Sequence, residues 1–343
     1  MNVGIVGAGG VSLFHYQGYT AAGATIVAIA DANPLALAAR QKEWNIPKGY
    51  GTWEELVADP TIEAVSVCLP NALHHPVTLA AARAGKHVLC EKPLSLSLEK
   101  AQEMIDVCRE AGVVLQTGHH LRSDNASLQT KKLIDSGALG RVTFMRLRQA
   151  HDWGGAKTVR GVFGSLAHSG GGTLLDNGCH MMDLARYFGG DVKQIYANTA
   201  TLGFDVEVED TSVATLTFAS GALGSVENAW TATGWEQAFW IYGTEGSLEY
   251  SNRTNVLTHR FRSSPGTTFG EPDIAHTTFG GYEAHTACEI DFLAAIRGER
   301  DVVCTGEDGL EAVRLVLAGY ESARANAPVR LASEQVPETL PSA

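Results

Sequence analysis

Basic side chains are scarce: 26 Lys and Arg stand against 38 Asp and Glu, a formal net charge of −12 with histidine neutral. That balance argues against a nucleic-acid partner, whose phosphates need a basic patch, and against binding at an anionic membrane surface. Long apolar runs are absent too, and none reaches the roughly 20 residues that span a bilayer. The six cysteines, at 68, 90, 108, 179, 288 and 304, include no C-x-x-C pair. Set mostly in apolar stretches, they read as small buried hydrophobes in a reducing compartment. There is no internal repeat, no low-complexity segment and no long linker. The chain opens Met1-Asn2-Val3-Gly4-Ile5-Val6, straight into a strand pattern without a basic region or cleavage site, so a cytoplasmic location is expected. What is there is 45% hydrophobic and 19% charged, the balance of a packed globular protein. Its 343 residues predict about two domains.

The first third alternates strand and helix patterns. Residues 3–6 form a short β-branched run ending in Gly7-Ala8-Gly9-Gly10, a helical stretch follows to about 22, and 25–30 reads as a buried strand. Asn33-Pro34 opens a second helix, with proline in its first turn. Residues 63–69, 86–90 and 113–117 are strand-like, with helical spacing at 75–84 and 97–111 between them. Such alternation implies a doubly wound parallel sheet over residues 1–118. The character then changes. After a helix at 125–136, strand patterns occupy 142–149, 194–202, 211–218, 223–230, 239–242 and 247–250. A helix at 173–188 interrupts them, and helices return at 282–297 and 307–325. The expected fold class is α/β: a parallel-sheet domain over 1–118, then an α+β domain with an open, mostly antiparallel sheet over 119–330, and a loose tail at 331–343.

The strand–glycine–helix junction carries the first chemistry. Gly7-x-Gly9-x-x-Ser12 nearly matches G-x-G-x-x-G/A, with a small serine in the third place. Gly7, Gly9, Gly10 and Val11 then form a turn and helix start that offer N–H groups to a pyrophosphate. Asp31, at the end of the second strand, is placed to accept from a ribose 2′-OH and to repel a 2′-phosphate, which favours NAD over NADP. Its alternative reading is a cap for the next helix, a role that Asn33 fills equally well. Arg40 lies too far along that helix to count as a 2′-phosphate ligand from sequence alone. Pro70, Asn71 and His74 follow one strand and Glu91-Lys92-Pro93 another, at the carboxyl ends where ligands bind in such sheets. A desolvated Lys92 there donates to a developing alkoxide; otherwise it is a surface lysine. In the run Gly172-Thr173-Leu174-Leu175-Asp176-Asn177-Gly178-Cys179-His180, Asp176 and His180 share a helix face. They read as a carboxylate and general base, as a structural hydrogen bond, or as two metal ligands. No third ligand follows at close spacing, so no metal is expected. His15, His259 and His276 are read as structural.

Taken together, GAGGVS, ADANP, PNALHHPVTLAAARAGKHVLCEKP, GHHLRS and GGGTLLDNGCHMMDLARYFGGDV resemble the Gfo/Idh/MocA oxidoreductases, the glucose–fructose oxidoreductase and inositol dehydrogenase group. The likeness runs over nearly the whole chain. It implies a Rossmann domain, NAD or, less favoured, NADP, and a homodimer or homotetramer built through the C-terminal sheet. The family's catalytic lysine falls on Lys92 and its aspartate–histidine pair on Asp176 and His180. By the same likeness His74 lies near the nicotinamide, and Arg122 matches the arginine after the last parallel strand. The implied reaction oxidises a secondary hydroxyl of a sugar, inositol or related polyol. His119 and Arg122 at the domain junction, with His151, Trp153, Arg160, Asn177, His180 and Lys92, are the candidate substrate contacts. The alternatives are a nucleotide-sugar dehydrogenase, a carbonyl reductase and a non-catalytic dinucleotide-binding regulator.

Overall fold

A computed structural model describes residues 1–152, 161, 163–261, 273–278, 284–331 and 339. Trp153 and Arg160 lie outside the described residues, as does most of the expected tail. The chain divides into two compact units: Met1–Asp124 with Tyr282–Glu311, and Asn125–Gly281 with Ala312–Ala343.

In the first unit, β1 (Asn2–Val6), α1 (Ser12–Ala21), β2 (Thr25–Ala30), α2 (Pro34–Trp44), β3 (Lys48–Tyr50) and α3 (Trp53–Ala58) lead to β4 (Ala64–Val67), α4 (His74–Arg83), β5 (His87–Cys90), α5 (Leu98–Glu110) and β6 (Leu115–Thr117). The six strands pair in parallel in the order β3-β2-β1-β4-β5-β6. Order reverses between β1 and β4, so their carboxyl ends flank a switch-point crevice. Helix starts follow local chemistry. The Asn33 side chain caps α2 by accepting from Leu35 and Ala36 N–H, and Pro34 fills the first helical place. Thr52 and Glu55 form a capping box for α3. Both β3 and α3 escape the sequence reading; at three and six residues they are too short for periodicity to register.

The second unit contains α6 (Asn125–Asp135), β7 (Val142–Ala150), α7 (Leu166–Ser169), α8 (Thr173–Gly189), β8 (Val192–Ala200), β9 (Thr211–Phe218), β10 (Leu223–Ala229), β11 (Glu236–Gly243), β12 (Gly246–Ser251), β13 (Val256–Phe261) and β14 (Asp273–Thr278). Its nine strands run β14-β13-β12-β11-β7-β10-β9-β8-β15, where β15 is Val329–Arg330. Every pair is antiparallel except β7–β10. One face packs under α8. Register arranges that face in rows, Leu216–Gly224–Met145–Ile241 and then Ala214–Val226–Leu147–Phe239, all apolar.

The remaining helices are α9 (Ala284–Ile296) and α10 (Gly306–Ala325). This differs from an expected boundary at 118, because α9 and the start of α10 complete the first unit. Cys288, Phe292 and Leu293 of α9 close a core with Val3, Tyr19, Ala64 and Leu89. Thr117 N–H bonds Cys304 carbonyl at 2.9 Å and the Ser123 hydroxyl donates to Asp291 at 2.7 Å. Those contacts join residues far apart in sequence, which spacing does not reveal. All six cysteines are buried and free. No described helix is long and apolar enough to cross a membrane.

Candidate active site

At the end of β1, Gly7 has φ +109°, and a Cβ there would stand 2.1 Å from the Cys68 carbonyl oxygen, so only glycine fits. Gly9 and Gly10 are exposed, with open space where a Cβ would project. Val11, just ahead of α1, supplies no side-chain cap, and the helix has no acid in its first turn. Leu13 and Phe14 N–H turn back to the Gly10 and Val11 carbonyls, so the helix start offers an anion its positive dipole end and the N–H groups ahead of Leu13. The serine in the third motif position is buried, and its hydroxyl donates to Gly9 carbonyl at 2.6 Å, so Ser12 closes the turn. Asp31 accepts from Ala8 N–H at 2.7 Å and from Asn33 N–H at 2.7 Å, bracing the turn against β2. Because Asn33 caps α2, the carboxylate of Asp31 keeps lone pairs for a hydroxyl pair. An open glycine cradle, an uncapped helix end and a carboxylate beside it fit a dinucleotide. Arg40, distant by sequence spacing, reaches the same turn: its Nε lies 3.5 Å from Ala8 carbonyl, with the guanidinium over Trp44 and paired to Glu43.

The next two strand ends are stitched together by His74. Its Nε2 lies 2.9 Å from Leu69 carbonyl and its Nδ1 2.8 Å from Pro93 carbonyl, so the ring sits between the two strand ends. Burial keeps this imidazole below its ordinary range, although the two carbonyls work the other way. Lys92 is half-buried. Around it His120 stacks on His285 at 3.5 Å, and His285 on Phe14 at 4.3 Å. Burial pushes His285 down to about 4 and His120 well below its ordinary value, and the Lys92 cation adds to both effects. His119 and Arg122 are buried; Arg122 lies 2.9 Å from the Asp308 carboxylate.

In the second unit, Gly172 packs so tightly against Glu209 that a Cβ would lie 1.9 Å from its carbonyl oxygen. The Glu209 carboxylate accepts from Gly172 N–H (3.1 Å), Leu174 N–H (2.9 Å) and Tyr320 OH (2.8 Å), capping α8 from a distant loop. Asp176, Asn177 and His180 follow on α8, all buried. The Trp230 indole N–H donates to Asp176 Oδ2 at 3.3 Å. His151 Nε2 lies 2.9 Å from Asn177 Oδ1, and the half-exposed Trp235 stacks on His151 at 4.2 Å. Beyond the two apolar rows of the sheet comes a third, Ser212–Asn228–Gln149–Gln237, polar and buried. Asn228 donates to Ser212 Oγ at 3.1 Å. Four buried amide atoms, Gln149 Oε1, Gln237 Nε2, Asn228 Oδ1 and Asn177 Nδ2, have no partner among the described residues. Glu209, Trp230 and this row escape sequence reading, since only register and packing bring them to α8. Among the described residues no group of three or more His, Cys, Asp or Glu is placed to hold a metal ion.

Comparison with known proteins gives a consistent result. Residues 1–119 match the model of an oxidoreductase family with an NAD-binding Rossmann fold, and residues 127–249 match the GFO/IDH/MocA C-terminal domain. A 1,5-anhydro-D-fructose reductase of Ensifer adhaerens is 36% identical over 88% of this chain and 90% of its own. The myo-inositol 2-dehydrogenase of Thermotoga maritima is 28% identical over 96% of this chain and 98% of its own. A levoglucosan dehydrogenase structure in complex with NADH superposes with a TM-score of 0.89 at 27% identity, covering 98% of this chain and 99% of that one.

Proposed function

The chain belongs to the GFO/IDH/MocA oxidoreductase family, and from that premise we propose that it is an NAD-dependent dehydrogenase oxidising a secondary hydroxyl of a sugar, inositol or related cyclic polyol. The carrying observation is the buried polar row beside α8. Unpartnered amide donors and acceptors are costly inside a protein, and hydroxyls on adjacent ring carbons, each donor and acceptor at once, satisfy both kinds. Trp235, flat on His151 and half-exposed, suits the apolar face of a sugar ring.

On this reading Gly7, Gly9, Gly10 and Val11 would hold the pyrophosphate and Asp31 the ribose. Pro70, Asn71, His74, Glu91 and Lys92 are assigned to the nicotinamide end. The bound nicotinamide supplies a hydride acceptor. His180 takes the hydroxyl proton, and Asp176, steadied by the Trp230 indole, stabilises the resulting imidazolium. The Lys92 ammonium donates to the reacting oxygen as negative charge develops there. Arg122, His119, His151 and Asn177 are assigned to substrate positioning. A second reading, reduction of a ring ketone by the same atoms in reverse, is favoured by the likeness to an anhydrofructose reductase.

Absorbance of reduced nicotinamide is the test, with NAD or NADP against myo-inositol, levoglucosan, 1,5-anhydro-D-glucitol and D-xylose, and with NADH against 1,5-anhydro-D-fructose. Turnover of a ring polyol or its ketone is the expected result. Silence throughout, with NADH binding verified by fluorescence, would turn the assignment to a non-catalytic regulator. His180→Ala and Lys92→Ala should each lower turnover by about a hundredfold or more while NADH binding stays near wild type.

A further inference from the structure

Behind the Lys92 turn the first unit buries ionisable groups that the proposed reaction leaves unused. The central one is His15 on α1, only 1% exposed. Its Nε2 lies 3.0 Å from Glu91 Oε1, and its Nδ1 lies 2.8 Å from Ser66 Oγ and 3.3 Å from Glu289 Oε1. Tyr19 of the same helix reaches Ser66 Oγ at 2.7 Å. Cys68 after β4 and His285 of α9 belong to the same buried set. Glu91 immediately precedes Lys92, and its other carboxylate oxygen accepts the Lys92 backbone N–H at 3.3 Å.

Both ring nitrogens of His15 thus face oxygen. A neutral imidazole donates from one nitrogen only, whereas an imidazolium donates from both. As an imidazolium the ring is one cation between two carboxyls, donating to Glu91 on one side and to the Ser66 hydroxyl oxygen on the other. Glu289 is buried with its Oε2 unpartnered, so it keeps its proton at neutral pH, and the cluster closes as a single pair of His15 and Glu91.

We propose that His15 is a positioning residue for Lys92: as a buried imidazolium it anchors the Glu91 carboxylate, which holds the Lys92 peptide. With His74 fixing Pro93 carbonyl on the other side, the lysine is carried on a turn pinned at both flanks. The proton positions agree with this. Burial opposes charge on His15, yet the ring stands well above the ordinary imidazole range, with the Glu91 carboxylate accepting its Nε2–H. Burial likewise opposes charge on Glu91, and the hydrogen bond and charge of His15 bring its carboxyl down to about 2.

The inference rests on the role assigned to Lys92, so one arm of the test does not use turnover. Lysines of the full chain are reductively methylated with 13C-formaldehyde, and the Lys92 signal is assigned by its loss in Lys92→Arg. In folded His15→Gln the Lys92 signal should shift and its titration midpoint should move, while NADH still binds. In folded Glu91→Gln, milder because it keeps an acceptor, the Lys92 signal and titration midpoint should move as well, which guards against a His15 variant that fails to fold. An unchanged Lys92 signal and titration in either folded variant overturns the proposal. In the kinetic arm, with whichever polyol of the panel is turned over, His15→Gln should lower kcat about ten- to a hundredfold with little change in KM. It should cost nothing further in a Lys92→Ala background. Loss of turnover in Lys92→Ala with wild-type kcat in His15→Gln sinks this inference alone. Wild-type turnover in Lys92→Ala sinks the assigned reaction, and the methyl-lysine measurement still decides the positioning.

Discussion

Two carboxylates of the first unit show how surroundings give a residue its role. Asp31, half-exposed, braces the glycine turn through Ala8 and Asn33 N–H. On the proposed assignment, removing it costs NAD a ribose acceptor and removes the repulsion felt by a 2′-phosphate. Asp31→Ala should therefore weaken NAD more than NADP, and a pair of binding titrations checks the ratio. Glu289 is the opposite case: burial pushes its carboxyl up to about 8 from an ordinary 4.5. Between those values the folded chain holds a proton that the unfolded chain has released. Stability therefore falls as pH rises through that window. In Glu289→Gln the decline should be shallower, read from urea midpoints measured between about pH 5 and 8. Asp31 is legible in sequence because strand, glycines and acid follow one another locally. Glu289 is not, for its meaning comes from His15, some 270 positions away, at a range where no spacing rule operates.

Among elements, α8 carries the greatest concentration of assigned chemistry, and its start is secured from outside. Gly172 supplies no capping side chain, and Glu209 does so instead, through Gly172 and Leu174 N–H. Glu209→Ala strips two charged hydrogen bonds and leaves the Tyr320 hydroxyl without this acceptor. The expected loss is about 2–4 kcal/mol in thermal or chemical denaturation. The helix itself and five of the six parallel strands can be read from periodicity, and the lysine turn and the Asp176–His180 spacing from motif. Strands β13 and β14 and the polar row cannot. The row exists only because Gln149 stands opposite both Asn228 and Gln237, a matter of register between strands far apart in the chain.

For the whole molecule, we propose self-association through the sheet of the second unit. Its face opposite α8 presents Leu223, Phe144 and Tyr242 side by side, all exposed. Exposed apolar groups this close together mark an association surface. Phe144→Glu with Tyr242→Glu should shift a dimer or tetramer to monomer in sedimentation velocity while the thermal transition stays cooperative. The acidic excess of the chain, −12, keeps such an assembly from indiscriminate contacts with polyanions. The discontinuity of the first unit bears on synthesis. Its sheet leaves the ribosome first, yet the apolar side of Val3, Tyr19 and Leu89 is closed only by Phe292 and Leu293. Until residues 282–311 have emerged, the nascent chain carries an unfinished core, and the second sheet still lacks β15. The last part of the message thus decides when the first part folds.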